Sequence, residues 1–245
     1  MKRISFFKLI TFILILAIPV MSMAQKGGNR KEIVRYKTNN KKKEEKIYKD
    51  GFIYSYYGWF EDGSRQFVKT YKNGKKDGTY IEWYKNGKKK SEINYSNDTI
   101  TGSALDWYES GFIQTEKQYV GGKQDKIIYY NEKGLKRNEE KTVNNILYKS
   151  SFEWYDSSHL KVETVYVNNI IVKKTEFYPN SNKKQEENYL KGRLSGKYDE
   201  WYENGQLKIE KIYTDGMANS VTEWQENGEL KKNTIYIDKK DQKIE

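Results

Sequence analysis

The stretch EWYKNGKKKSEINY, residues 82–95, sets Trp83 and Tyr84 beside an Asn-Gly pair, continues with Lys88-Lys89-Lys90, and returns to Glu92 and Tyr95. A fully buried strand would not carry this much charge. A disordered segment would not carry this many aromatic rings. Asn-Gly between runs of aromatic and β-branched residues signals a hairpin, because both residues tolerate positive φ.

The same pattern returns along the chain at an almost fixed interval. Trp59, Trp83, Trp107, Tyr130, Trp154, Phe177, Trp201 and Trp224 are spaced 24, 24, 23, 24, 23, 24 and 23 residues apart, and they include all six tryptophans. One position later stand Phe60, Tyr84, Tyr108, Tyr155, Tyr178 and Tyr202, interrupted by Asn131 and Gln225. Four positions later come Gly63, Gly87, Gly111, Gly134, Gly205 and Gly228, interrupted by Ser158 and Ser181. Nine positions later are Glu92, Glu116, Glu139, Glu163, Glu186 and Glu210. Twelve positions later are Tyr71, Tyr95, Tyr119, Tyr166, Tyr189, Tyr213 and Tyr236, with Thr142 as the exception. A fixed period of this length is the mark of a repeat architecture.

Each unit reads as two strands. Runs of about six aromatic and β-branched residues are punctuated by Asn-Gly, Asp-Gly or Gly, and no unit shows apolar residues at helical spacing. A second break follows the last tyrosine column, as at Lys191-Gly192 and Asp215-Gly216. The predicted fold is all-β: an elongated, single-sheet antiparallel meander of about eight hairpin repeats. Its roughly sixteen strands would extend about 75 Å. A three-residue loop with glycine in the left-handed conformation would place Trp201 opposite Leu207 and Glu200 opposite Lys208. The charge pair would recur as Glu82/Lys90, Glu153/Lys161, Glu176/Lys184 and Glu223/Lys231.

Composition agrees with a thin sheet. The 245 residues are 32% charged, yet they hold 22 Tyr, 9 Phe and 6 Trp. Residues 1–24 read as a secretory signal peptide. Lys2, Arg3 and Lys8 precede the apolar run Leu9–Val20, which is too short for a bilayer span of ~20 residues, and small residues at Ser22 and Ala24 put cleavage near Ala24. The chain is therefore expected to be exported, to the periplasm, cell surface or medium. Removing the three signal cations leaves 42 basic against 34 acidic residues. Residues 25–46 read as a charged, flexible lead-in, 47–240 as the repeat domain and 241–245 as a polar tail. Lysines interleaved with glutamates describe a mixed surface, and an exported chain with aromatics placed by its turns is no candidate for nucleic acid.

Catalysis finds little support. With no cysteine and one histidine, His159, nucleophilic triads and zinc sites are close to excluded, so neither a metal nor a cofactor is expected. The repeated glutamates raise the possibility of paired glycosidase carboxylates, but six equivalent copies look structural. The tryptophan-position column reads as packing that every unit needs. Tyr84, Tyr108, Tyr155, Tyr178 and Tyr202 are the candidate binding residues, since an aromatic row on a sheet can stack on sugars or hold cations.

The order Trp-Tyr-x-Asn-Gly, then Glu, Tyr and Gly resembles the variant MORN repeats of bacterial proteins. EWYENGQLKIEKIYTDG, residues 200–216, is the nearest unit, and the resemblance runs over about residues 46–240. It departs at Tyr130–Thr142 and at Asp156-Ser157-Ser158, where irregular units are expected. The resemblance implies a β-hairpin sheet with a binding role and no catalytic residues, and bacterial chains of this kind are identified as YwqK-type antitoxins. The expected partner is thus a protein, a toxin among them. Cell-wall polysaccharide bound by the aromatic rows, or an anionic membrane surface, is the alternative.

Overall fold

The computed structural model describes residues 28–155 and 159–236. The expected signal peptide, the expected 241–245 tail and residues 156–158, where irregularity was expected, lie outside them. The described residues form nineteen strands in one open antiparallel sheet, from Arg30–Arg35 to Leu230–Ile235. Consecutive strands pair with one another throughout, so the chain is a meander. The count exceeds sixteen for two reasons. Lys75–Lys76 is a two-residue fragment separated from Gly78–Trp83 at Asp77. Two further strands stand where a flexible lead-in was expected.

That lead-in is corrected by its pairing. Arg30–Arg35 is exposed at every residue, yet it lies antiparallel to Lys42–Lys49, with Glu32 opposite Lys46 and Val34 opposite Glu44. Tyr48 donates its hydroxyl to Glu32 at 2.9 Å, and the Arg30 guanidinium sits 4.1 Å from the Tyr48 ring. Charge here lies in cross-strand pairs, not in a free tail.

The two long margins of the sheet carry different turns. Along one margin run three-residue loops. Tyr202 N–H donates to Gln206 O at 2.8 Å, Gly205 N–H donates to Tyr202 O at 2.9 Å, and Gly205 holds φ +89°. The same closure recurs at Phe60, Tyr84, Tyr108, Asn131, Tyr178 and Gln225. The unit at Tyr130–Thr142 is therefore regular: Asn131 and Gly134 close its loop like the others. Along the opposite margin run two-residue turns with positive φ at both positions, among them Asn73-Gly74, Asn97-Asp98, Asn168-Asn169, Lys191-Gly192 and Asp215-Gly216. These match the right-handed twist of the strands they join.

The loop register holds at the first pair and fails at the second. Trp201 is opposite Leu207 as predicted, but Glu200 faces Ile209, not Lys208. Lys208 is a bulged residue, with two residues of one strand opposing one of its partner. The same shift puts Ser91 opposite Glu82, Val162 opposite Glu153, Gln185 opposite Glu176 and Lys232 opposite Glu223. The long lysines still reach in two cases: Lys231 lies 3.3 Å from Glu223, and Lys184 lies 3.9 Å from Glu176. Bulges of this kind increase local twist.

Side chains alternate between two faces. One face carries the tryptophan column and the glutamate column, with Glu116 opposite both Leu105 and Ile128. The other carries tyrosines and phenylalanine in contact: Tyr56 with Phe67 at 4.8 Å, Tyr71 with Tyr80 at 5.6 Å, and Tyr80 with Tyr95 at 4.7 Å. Among the described residues no second layer covers either face, so the buried apolar residues are few: Tyr80, Ala104, Ile127, Ile128 and Val162. Stability must come from backbone ladders and cross-strand pairs, each worth roughly 0.2–1 kcal/mol and summed over neighbours.

Candidate functional site

The candidate tyrosines Tyr84, Tyr108, Tyr155, Tyr178 and Tyr202 open the three-residue loops. Their hydroxyls point along the sheet to the next repeat. Each donates to the backbone carbonyl of the next unit's tryptophan-position residue. Tyr84 reaches Trp107 O at 2.7 Å, Tyr108 reaches Tyr130 O at 2.8 Å, and Tyr155 reaches Phe177 O at 2.8 Å. Tyr178 reaches Trp201 O at 2.9 Å, and Tyr202 reaches Trp224 O at 3.0 Å. Tyr36 makes the same bond to Trp59 O at 2.8 Å. It belongs to the column but was missed. Its spacing of 24 from Phe60 was the available signal.

The rings are half-buried, and this shapes their acidity. Burial, followed by Glu109 and Asp106, raises the Tyr84 phenol above its ordinary value, and burial with Glu203 and Glu200 does the same for Tyr178. A raised phenol keeps its proton and remains a donor. These tyrosines are links between hairpins.

The loop asparagines add a second link. Asn86 Oδ1 accepts from Lys88 N–H at 3.0 Å inside its loop, while its Nδ2 donates to Glu109 O at 3.1 Å in the next loop. Asn180 repeats both bonds, at 3.0 and 2.9 Å. Lys88 Nζ donates to Ser110 O across the same gap.

The tryptophan face has its own pattern. Lys42, Lys89, Lys136 and Lys183 recur every 47 residues, or every second unit. Each pairs with the glutamate three residues on, at 3.1, 2.5, 2.7 and 2.6 Å. Each also lies over an aromatic ring of the next hairpin. Lys42 is 5.5 Å from Trp59, Lys89 is 5.6 Å from Trp107, Lys136 is 5.2 Å from Phe152, and Lys183 is 5.4 Å from Trp201. A lysine on the ring competes with any sugar that would stack there.

One place on this face concentrates acid. Asp199 lies directly between Glu186 and Glu210 on the adjacent strands. It is only 7% exposed, and its Oδ1 has no hydrogen-bond partner. Burial pushes its carboxyl up; Lys197 opposes this, and Glu210 and Glu186 add to it. Lys197 bridges Asp199 at 3.3 Å and Glu210 at 2.7 Å, and Lys173 and Lys183 meet Glu186 at 2.9 and 2.6 Å, so three lysines balance the three acids. Among the described residues no cluster of His, Asp and Glu is arranged to hold a metal ion. No helix among them is long and apolar enough to cross a membrane. Recesses are shallow and lie between repeats. One of about 510 Å³ is lined by Lys88, Lys89, Trp107 and Phe112. His159 is exposed, and its carbonyl accepts from Tyr155 N–H at 2.9 Å in a loop closure.

Comparison with known proteins bears on this repeat. Residues 76–97 and 194–215 match the family model described as MORN repeat variant. Each segment spans one three-residue loop and the two strands it joins, and ends at the first residue of the next two-residue turn. No curated protein matches the chain. Among solved structures, the crystal structure of TcdB2–TccC3 without its hypervariable C-terminal region aligns with 6% identity over 80% of this chain. The alignment covers 13% of that chain, at a TM-score of 0.25, too loose to bear on fold or function.

Proposed function

We propose that this chain is an exported, non-enzymatic repeat scaffold that binds a protein partner over its extended surface. MORN repeats are generally scaffolds or binding modules, and the two matched units bring that reading to this chain. The observation that carries it is the consumption of the aromatic columns. Tyr84, Tyr155 and Tyr178 spend their hydroxyls on the next hairpin, and Trp59, Trp107 and Trp201 lie beneath lysines. Polysaccharide binding needs those rings free. A scaffold needs them as they are, because they make a long sheet with little core hold its shape. In its specific form the partner is a protein toxin met in the cell envelope, and the chain acts as an antitoxin or immunity protein.

The test is capture from cell envelopes with the mature chain, residues 25–245, as bait. A discrete protein retained above background is expected. An empty capture rejects the scaffold reading. Co-sedimentation with peptidoglycan that is lost in Tyr84→Ala/Tyr202→Ala would replace it with the polysaccharide alternative. Export is checked by N-terminal sequencing of chain recovered from the periplasm or medium, where a start at Gln25 is expected.

A further inference from the structure

The two-residue turn margin carries aliphatic side chains that the fold does not use. Val120, Val143, Ile146, Ile170, Leu190 and Met217 are 70%, 40%, 36%, 50%, 64% and 67% exposed. Each flanks a turn directly. Val143 is opposite Ile146, Val120 is opposite Lys123, Leu190 is opposite Arg193, and Thr214 is opposite Met217. Val120, Val143 and Leu190 each stand four residues beyond a glutamate of the repeated column, an even separation that puts them on the tryptophan face.

The repeats themselves supply the control. At the same two columns the third turn carries Ser96 and Thr99, in strands of eight and nine residues that form as fully as the others. Apolar residues are therefore not required there. Phe52, the aliphatics' counterpart at the first turn, has a packing role: a side chain on Gly74 would meet its ring at 3.1 Å. Beside Gly192 and Gly216 there is open space instead. From Val120 onward the margin carries an apolar row with nothing on it.

The surroundings specify what would cover it. Lys123, Lys141 and Lys191 are exposed and form no ion pair among the described residues. Arg193 meets Asp215 at 3.0 Å, with both about two-thirds exposed, and Asp215 is the one acid among the ten residues of these five turns. The partner surface should then be acidic around an apolar stripe. The margin consists of closed turns, so a partner strand finds no row of unpaired N–H groups to extend. Repeats succeed one another every two strands, about 9.6 Å. Two turns of a helix, seven residues, advance about 10.5 Å. A helix lying along the margin would bring an apolar residue to each repeat over the four steps from turn 121–122 to turn 215–216, about 38 Å.

We infer that the turn margin from Val120 to Met217 is a docking surface for an acidic amphipathic helix of a protein partner. This rests on the scaffold reading and names the part of the surface it uses. The test is selection from a displayed library of random 25-residue peptides against the mature chain. Two variants serve as comparison: Val143→Ser/Ile170→Ser/Leu190→Ser, and Lys123→Glu/Lys141→Glu/Lys191→Glu. Serine and threonine already occupy these columns at the third turn, and an unchanged thermal midpoint verifies folding. Enriched peptides are expected to be net acidic, with apolar residues at heptad spacing, and to bind each variant at least tenfold more weakly. Peptides that bind both variants equally overturn the docking surface and leave the scaffold reading standing. A failure to enrich overturns it too, as does enrichment without an acidic bias. Binding to phosphatidylglycerol vesicles that the serine variant abolishes would assign the row to lipid and overturn the helix.

Discussion

The hydroxyl of Tyr84 donates to the backbone carbonyl of Trp107, 2.7 Å away and one repeat further along the sheet. The bond ties a loop to the start of the next loop, at the margin where strands would otherwise fray. It recurs wherever the column holds tyrosine, and where Asn131 stands instead, its Oδ1 accepts from Lys133 and Leu135 within its own loop. Removing the hydroxyl while keeping the ring isolates its contribution. Tyr84→Phe and Tyr178→Phe should each lower stability by roughly 0.5–1.5 kcal/mol, the net worth of a hydrogen bond. Urea unfolding midpoints check this. Phenylalanine variants as stable as the parent would show that the links add nothing.

Gly58 faces Phe67 on the adjacent strand, in a column where other units carry Glu82, Asp106 or Glu200. A methyl group at Gly58 would lie 2.1 Å from Phe67 Cε1, so the ring rests directly on the glycine backbone. Gly58→Ala should cost about 1–3 kcal/mol by overpacking. In a Phe67→Ala background the same change should cost a few tenths of a kcal/mol. A double-mutant cycle measured by thermal or urea unfolding separates the cases, and additive energies would remove Phe67 as the cause.

Lys191 holds φ +50° at the first position of a two-residue turn where its counterparts are Asn73, Asn97, Asn144, Asn168 and Asp215. A long side chain in the left-handed region is strained, whereas asparagine enters it at lower cost. Lys191→Asn should stabilise the chain by up to about 1 kcal/mol. Gly192→Ala, at φ +78° in the same turn, should destabilise it by about 1–2 kcal/mol. Opposite signs at adjacent positions, read from the same unfolding curves, are the signature.

What the sequence reveals here depends on repetition. Period, strand pairs and both turn types are legible because each unit restates them, and Trp201 opposite Leu207 follows from the loop alone. The bulge at Lys208 is not legible, since a lysine satisfies a nearby glutamate from either register, as Lys231 does with Glu223. The strand Arg30–Arg35 is hidden for a related reason. Its charges look like solvent-borne polarity until Glu32 and Lys46 are known to be opposite each other. Aromatic columns announce importance without saying whether it is structural. The role of the Tyr84 hydroxyl depends on the direction in which it points, which only the three-dimensional arrangement supplies.

Asp199, flanked by Glu186 and Glu210, gives the sheet a local pH dependence of unusual sign. Burial raises its carboxyl above the ordinary value, with Glu210 and Glu186 adding to the effect against Lys197. The folded chain therefore binds this proton more tightly than the unfolded one, and stability is lost as pH rises through the folded pKa. Glu186 behaves oppositely. Burial would raise it, but hydrogen bonds from Lys183 and Lys173 together hold it below its usual range, so its contribution is present at neutral pH and lost on acidification. Asp199→Asn should thus stabilise the chain at pH 7 by roughly 0.2–1 kcal/mol, the scale of a cross-strand charge pair, and the gain should vanish as pH falls through the carboxylate range. Glu186→Gln should destabilise at pH 7, and that loss should also fade on acidification. Urea midpoints of both variants between pH 3 and 8 test the pair, and a destabilised Asp199→Asn at neutral pH would show that its bridge to Lys197 outweighs the repulsion.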